Sequence, residues 1–149
     1  MKREAENSGL DFLSTPFDRS AIDFLESIGI EFYKIASFEL VDIPLIRYTA
    51  SKRKPIILST GMGTLAEIER AISVIRDEGD NEIVLLKCAS AYPAVSDDMN
   101  LVTMKNMSET FGVPVGLSDH SLGTVAAITA VALGARVIEK HFSRTISLS

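Results

Sequence analysis

The chain carries one cysteine, Cys88. A single thiol excludes an internal disulfide framework and fits a reducing compartment, so a cytoplasmic location is expected. No apolar run approaches the roughly 20 residues of a membrane-spanning helix, and no membrane partner is expected. The N-terminus, Met1-Lys-Arg-Glu-Ala-Glu-Asn7, is too charged to hold the apolar region of a signal peptide. Basic charge is also in deficit: 15 Lys and Arg stand against 20 Asp and Glu, a net charge of −5. With no basic stripe to offset that balance, the charge argues against a nucleic-acid partner, whereas an anionic small substrate needs only a local cationic site. Low-complexity stretches and obvious linkers are missing. No Gly-x-Gly-x-x-Gly follows the first apolar run, which argues against dinucleotide binding. Histidine is equally scarce: His120 and His141 are the only two.

What the chain does have is repetition. At 149 residues it is long enough for one domain with a sizeable core. Its 46% hydrophobic content and mean hydropathy of +0.21 suit a sheet buried on both faces, as parallel sheets are. Short apolar runs occur at Phe12-Leu13, Phe32–Ile35, Ile56–Leu58, Ile83–Leu86, Val113–Leu117 and Val137-Ile138. They start at the spacing of a βα unit, and helix-like segments lie between them. Asp18 is placed to cap a helix through Ala21, Leu25 and Ile28 that Gly29 closes. Thr64-Leu-Ala-Glu67 is a capping-box pattern, with Leu65, Ile68, Ile72 and Ile75 at helical spacing behind it. Thr124 to Leu133 is Ala-rich, and Gly134 suits the position after its end. Six such units predict the α/β class and an incomplete (β/α)₈ barrel of about six units, with a doubly wound open sheet as the alternative. Because a closed barrel needs about 250 residues, residues 1–149 are expected to be part of a barrel domain. A fragment is favoured over a barrel completed by a partner.

Parallel α/β folds carry their chemistry at the C-terminal ends of the strands, and here those ends are polar. Ser118 and His120 share one face of their strand, as do Glu139 and His141. Histidine is the commonest metal ligand and the usual acid or base near neutral pH. Two imidazoles with oxygen ligands and open positions suit Mn²⁺ or another octahedral ion better than structural Zn²⁺. Two ordinary histidines, one on the surface and one in the core, is the competing reading. Glu139 is read as supporting a ligand or as a salt-bridged barrel residue, and Asp119, of opposite parity, as a cap for the segment near Leu122. Lys34 lies inside the apolar run Phe32-Tyr-Lys-Ile-Ala-Ser37. There it must meet an anion or bear a large desolvation cost. Phosphate or carboxylate recognition is the first reading, Schiff-base chemistry the second, and an edge-strand lysine facing water the third. Thr15, Ser37, Ser59 and Ser118 can add hydroxyl donors to the same anion, or each can be a strand-end cap. Glu39 can bond substrate hydroxyls or be a solvated loop acid. Tyr92-Pro93 can wall a sugar pocket or simply pack. Cys88 is expected to be buried and inert.

Six motifs occur in order: Phe12-Leu-Ser-Thr-Pro-Phe17, Tyr33-Lys-Ile-Ala-Ser-Phe-Glu39, Pro55-Ile-Ile-Leu-Ser-Thr-Gly-Met62, Leu86-Lys-Cys-Ala-Ser-Ala-Tyr-Pro93, Gly116-Leu-Ser-Asp-His120 and Ile138-Glu-Lys-His-Phe142. Each is weak alone, but the ordered set resembles the sialic acid synthase family, and its wording is closest to the pseudaminic acid branch. Ser90 stands where the N-acetylneuraminate branch has Asn. The resemblance implies a synthase, a C–C bond-forming transferase. It would condense phosphoenolpyruvate (PEP) with a 2-acetamido sugar, a 2,4-diacetamido-trideoxy hexose in the pseudaminic branch, to give a nine-carbon 2-keto acid and phosphate. Neuraminate or legionaminate synthesis is the near alternative. A related PEP-dependent synthase, a Schiff-base aldolase and an inactive barrel piece or assembly module are the further ones.

By the same resemblance, Lys34, Glu139, His120 and His141 are the catalytic candidates. His120 and His141 would bind Mn²⁺, or Mg²⁺ or Co²⁺. Lys34, Thr15, Ser37, Ser59 and Ser118 would bind PEP with Ser90 nearby, and Glu39 and Tyr92 would face the acceptor sugar. The family barrel is followed by an antifreeze-like domain in a domain-swapped homodimer. On that pattern this chain supplies the third to eighth strands and lacks the first two, the segment after the eighth and the antifreeze-like domain.

Overall fold

A computed structural model of the chain describes residues 1–142. They form two compact units, Met1–Val84 and the part that begins at Leu85.

The first unit opens with helix α1 (Lys2–Asn7) and helix α2 (Arg19–Ser27). The Asp18 carboxylate accepts from the Ala21 amide at 2.8 Å, and Gly29 takes a φ of 71° just past the end. Both ends are thus closed by the chemistry read from the sequence. Strand β1 (Tyr33–Ile35) leads through a 3₁₀ turn (Ser37–Val41) into α3 (Ile43–Ala50), and strand β2 (Ile56–Ser59) leads into α4 (Leu65–Asp77). Asp42 caps α3 by accepting from the Leu45 amide at 3.0 Å, and Pro44 follows where its missing N–H costs nothing. The Thr64–Glu67 capping box forms in full, and Ile68, Ile72 and Ile75 are buried along one stripe of α4. β1 and β2 are parallel, with Lys34 opposite Ile57. Tyr33 is fully buried; its hydroxyl donates to Glu26 at 2.7 Å, and Glu26 also accepts from Lys54 at 2.6 Å. Burial, and then the Glu26 carboxylate, push the Tyr33 phenol far above its ordinary range, so this residue is structural.

The second unit carries strand β3 (Ile83–Cys88, entering from the first unit), a 3₁₀ turn (Ser96–Asp98), α5 (Thr103–Phe111), β4 (Val115–Asp119), α6 (Val125–Ala132) and β5 (Ile138–Lys140). β3 to β4 and β4 to β5 are parallel, with Cys88 opposite Ser118 and Ser118 opposite Glu139. Gly116 is required at its position: an added Cβ would run into the carbonyl oxygen of Val137 and stand 2.8 Å from a Leu86 methyl. Gly112 closes α5 in the left-handed region, and Gly134, with a φ of 97°, follows α6.

Among the described residues there are therefore five strands, not six. Phe12-Leu13 forms none, because a strand exists only through its ladder and two apolar residues offer too short a one. Leu13 is 39% exposed, so burial does not hold the run in place either. The expected cap function of Asp119 also differs: Thr124 sits at the start of α6, and the buried Asp119 turns to Ser121 and Lys140. No helix among the described residues is long and apolar enough to cross a membrane.

Candidate active site

In the first unit the polar groups gather at the ends of β1 and β2. The register places Lys34 beside Ile57, and Ser59, two residues on, shares that face. Lys34 is only 5% exposed; its ammonium donates to Ser59 Oγ at 2.8 Å and to the Ile35 carbonyl at 3.2 Å. The reading of Lys34 as an edge lysine facing water is therefore overturned: the two strands wall it in, and its head is held by a hydroxyl and a carbonyl. Ser37 Oγ accepts from the Gly61 amide at 3.1 Å, tying the turn after β1 to the turn after β2. Glu39 sits in the same turn, half-buried, and its Oε2 is buried with no hydrogen-bond partner among the described residues. An unsatisfied buried carboxylate oxygen costs about 1–3 kcal/mol or more, and a donor such as a sugar hydroxyl would relieve it. Thr15 is half-buried in the segment where no strand forms.

In the second unit the end of β4 and the end of β5 bring together Ser118, His120, Glu139 and His141. Ser118 Oγ donates to Glu139 Oε1 at 2.6 Å, between directly paired residues. His120 Nδ1 lies 3.0 Å from the Ala89 carbonyl oxygen. A carbonyl only accepts, so Nδ1 donates to it, and in the neutral tautomer this arrangement puts the lone pair on Nε2. Nε2 is 3.1 Å from the Tyr92 hydroxyl and 3.3 Å from Ser118 Oγ. Ser118 commits its one proton to Glu139, which leaves Tyr92 as the donor to Nε2. The Tyr92 ring stacks on His120 at 4.0 Å and meets His141 edge-on at 5.6 Å, and the two imidazoles are 5.3 Å apart, centre to centre. Burial, then Cys88 and Glu139, raise the Tyr92 phenol above its ordinary value, so it stays a donor at neutral pH. A cavity of about 480 Å³ opens here, lined by Tyr92, His120, Lys140, His141 and Phe142 among others. Cys88 is buried as expected, 3.8 Å from His120 Nδ1, whereas Ser90 is exposed on the following turn.

The ring geometry fits a metal reading in one respect. A neutral imidazole with Nδ1–H fixed on a backbone carbonyl presents Nε2 as a ligand, the usual arrangement at protein metal sites. Among the described residues, however, no group of three or more His, Cys, Asp or Glu side chains is arranged around one ion position. An ion held here would have the two imidazoles as its side-chain ligands, and its remaining positions would fall to oxygen ligands from outside this group.

Some participants were not legible beforehand. The Ala89 carbonyl, the Tyr92–His120 stack and the Asp119–Lys140 ion pair all depend on how separate segments meet. One signal was available for the last: an ionisable residue directly precedes each histidine, in Asp119-His120 and in Lys140-His141.

The family model described as the NeuB family matches residues 1–148. The chain belongs to the NeuB family. It is 48% identical to the pseudaminic acid synthase of Helicobacter pylori over 144 residues, which cover 97% of this chain and 42% of that protein. It is 44% identical to the N,N'-diacetyllegionaminic acid synthase of Legionella pneumophila, covering 97% of this chain and 42% of that one. The crystal structure of the N-acetylneuraminic acid (sialic acid) synthetase of Leptospira borgpetersenii, in complex with citrate, superposes with a TM-score of 0.92 at 36% identity, over 95% of this chain and 50% of that one. The NeuB-family chain thus spans about two fifths of the length of these curated relatives. Its architecture is an incomplete (β/α)₈ barrel with five parallel strands, which removes the open doubly wound sheet as an alternative.

Proposed function

We propose that this NeuB-family chain is the barrel part of a PEP-dependent synthase that condenses PEP with a 2-acetamido sugar aldehyde, releasing phosphate. The preferred acceptor is a 2,4-diacetamido-trideoxy hexose and the preferred product pseudaminic acid. The observation that carries this reading is the buried Lys34 ammonium, held by Ser59 at a strand end, in a chain 48% identical to a pseudaminic acid synthase. A buried cation at the C-terminal end of a barrel strand is the natural receiver of a phosphate or carboxylate.

In the first unit Lys34, Ser59, Ser37 and Thr15 are the PEP-holding groups, and in the second Ser118 and Ser90 are PEP candidates by family resemblance alone; the rigid setting of Lys34 fixes the anion for reaction. In the first unit Glu39, with its unpartnered oxygen, takes an acceptor hydroxyl or acetamido group, and in the second Tyr92 is the acceptor-facing candidate. C3 of PEP bonds to the aldehyde carbon, and water adds to the resulting cationic C2. The tetrahedral intermediate then breaks its C–O bond to phosphate, leaving the 2-keto acid. His120 and His141 would hold Mn²⁺, or Mg²⁺ or Co²⁺, which when bound would supply Lewis-acid polarisation of a carbonyl oxygen. Glu139 orients Ser118. A cytoplasmic homodimer is the assembly expected for the whole protein.

Phosphate release from PEP, followed with each of the three acceptor sugars, tests the reading. Release specific to the 2,4-diacetamido sugar of the pseudaminic branch supports it. Preference for the legionaminate precursor would favour the second reading, which the 44% identity to a legionaminic acid synthase motivates. Binding of PEP without turnover would favour an inactive barrel segment, the reading motivated by the two-fifths coverage.

A further inference from the structure

Two cross-strand pairs follow one another at the ends of β4 and β5. Ser118 and Glu139 face each other on one side of the sheet, and Asp119 and Lys140 are the next pair in register, on the opposite side. The second pair is unusually well tied. Asp119 is fully buried; its Oδ2 accepts from the Lys140 ammonium at 2.6 Å, and its Oδ1 accepts from Ser121 Oγ at 2.6 Å and from the Ser121 amide at 2.9 Å. The Lys140 ammonium also donates to the Ser121 carbonyl at 2.8 Å. Ser121 is bridged to Ala94, whose amide donates to the His120 carbonyl at 3.0 Å. The closed ring of bonds therefore fixes the backbone on both sides of His120 and the residue directly before His141. A buried ion pair is a poor device for stability alone, because desolvation offsets most of its attraction. It is a good device for register.

We propose that Asp119 and Lys140 are positioning residues for His120 and His141: the pair locks the two strand ends so that the imidazoles stand side by side. This rests on the reading of the two histidines as a cation site. Neither residue need touch the cation or substrate, since each acts through the histidine that follows it.

The experiment uses the chain with ¹⁵N-labelled histidine, side-chain ¹H–¹⁵N spectra without metal, and Mn²⁺ titration followed by electron paramagnetic resonance. Lys140→Met and Asp119→Asn are expected to weaken Mn²⁺ binding about 10–100-fold, the usual cost of losing a partner that orients a ligand. Both are also expected to shift the ring signals of His120 and His141 in the metal-free chain. Lys140→Arg, which keeps the charge and the hydrogen bonds, is expected to stay near the unaltered affinity. Simple electrostatics predicts the opposite sign for Lys140→Met, since removing a positive charge favours a bound cation. Tighter Mn²⁺ binding in that variant overturns the proposal, as do unchanged ring signals. If Lys140→Met does not fold, the ring signals of Asp119→Asn decide: that variant retains the shape and leaves only the partly exposed Lys140 ammonium uncompensated, whereas its loss of a negative charge weakens cation binding by electrostatics alone. If His120→Ala binds Mn²⁺ as well as the unaltered chain does, the cation reading fails. The metal-free ring spectra then still decide the clamp: shifted signals support it and unshifted ones overturn it.

Discussion

Replacing Lys34 with methionine separates substrate recognition from stability. Lys34 is 5% exposed, and its ammonium is bonded to Ser59 Oγ at 2.8 Å and to the Ile35 carbonyl at 3.2 Å. Methionine has nearly the same length and no charge. A hydrogen bond to a charged group contributes about 1.5–3 kcal/mol net, and a unit-charge pair about 4 Å apart attracts by about 4 kcal/mol at an effective dielectric of ~20. The PEP affinity of Lys34→Met is therefore expected to fall between about 10-fold and about 1000-fold, since each 1.4 kcal/mol is a factor of ten. Stability moves in a different way. Burying methionine instead of an ammonium removes a desolvation cost, while Ser59 and the Ile35 carbonyl each lose a donor; the gain and the losses oppose each other, leaving a net effect within about 1–2 kcal/mol. Calorimetric titration with PEP and urea unfolding, run on the same preparation, read the two quantities. A folded Lys34→Met chain that binds PEP as tightly as the unaltered chain would refute the assignment of Lys34 as the anion receiver. Unfolding by several kcal/mol together with lost binding would make Lys34 a structural residue instead.

Four further outcomes follow from the same structure. His120→Ala and His141→Ala each weaken Mn²⁺ binding about 10-fold or more, read by paramagnetic resonance, because each leaves one imidazole to hold the ion. Gly116→Ala destabilises the chain by at least about 2 kcal/mol in urea unfolding, since its methyl group would press on the Val137 carbonyl between β4 and β5. Burial by itself raises the Asp119 carboxyl, but the hydrogen bonds from Lys140 and Ser121 outweigh it and hold the group below its ordinary value of 3.8. Its stabilising contribution is therefore full above that value and is lost as pH falls below it, so Asp119→Asn should flatten the acid limb of a stability–pH curve. Borohydride with PEP and acceptor is expected to leave Lys34 unmodified, as shown by mass spectrometry; a reduced adduct there would establish Schiff-base chemistry.

The features legible in the sequence are those whose cause is local. Asp18, the Thr64–Glu67 box and Gly134 mark helix ends through bonds spanning a few residues or through a single φ angle, and all three appear as expected. Lys34 was recognisable because an ammonium inside Phe32–Ile35 needs a partner whatever the fold. The Phe12-Leu13 run failed as a strand for the complementary reason: strand formation is a property of a pair, and composition does not say whether a neighbour is in place. The same limit hid Tyr92 over His120. Their rings meet because the turn after β3 folds back onto the end of β4, which no spacing within either motif encodes. Glu39 was legible as a polar loop residue, but its unpartnered buried oxygen was not, since burial arises from the 3₁₀ turn that carries it.

The strand-end parity joins the two levels. A residue and the one after it point to opposite faces, so a motif such as Asp-His or Lys-His places a structural group on one side and a chemical group on the other. In β4 and β5 both motifs occur in register, and the structure uses them in that way: Asp119 with Lys140 on one side, His120 beside His141 at 5.3 Å beyond them. Moving either motif by one residue would exchange the faces, burying an imidazole against Ser121 and turning the carboxylate toward the neighbouring histidine. The order of residues within each motif is therefore part of the site, as much as the identity of the histidines.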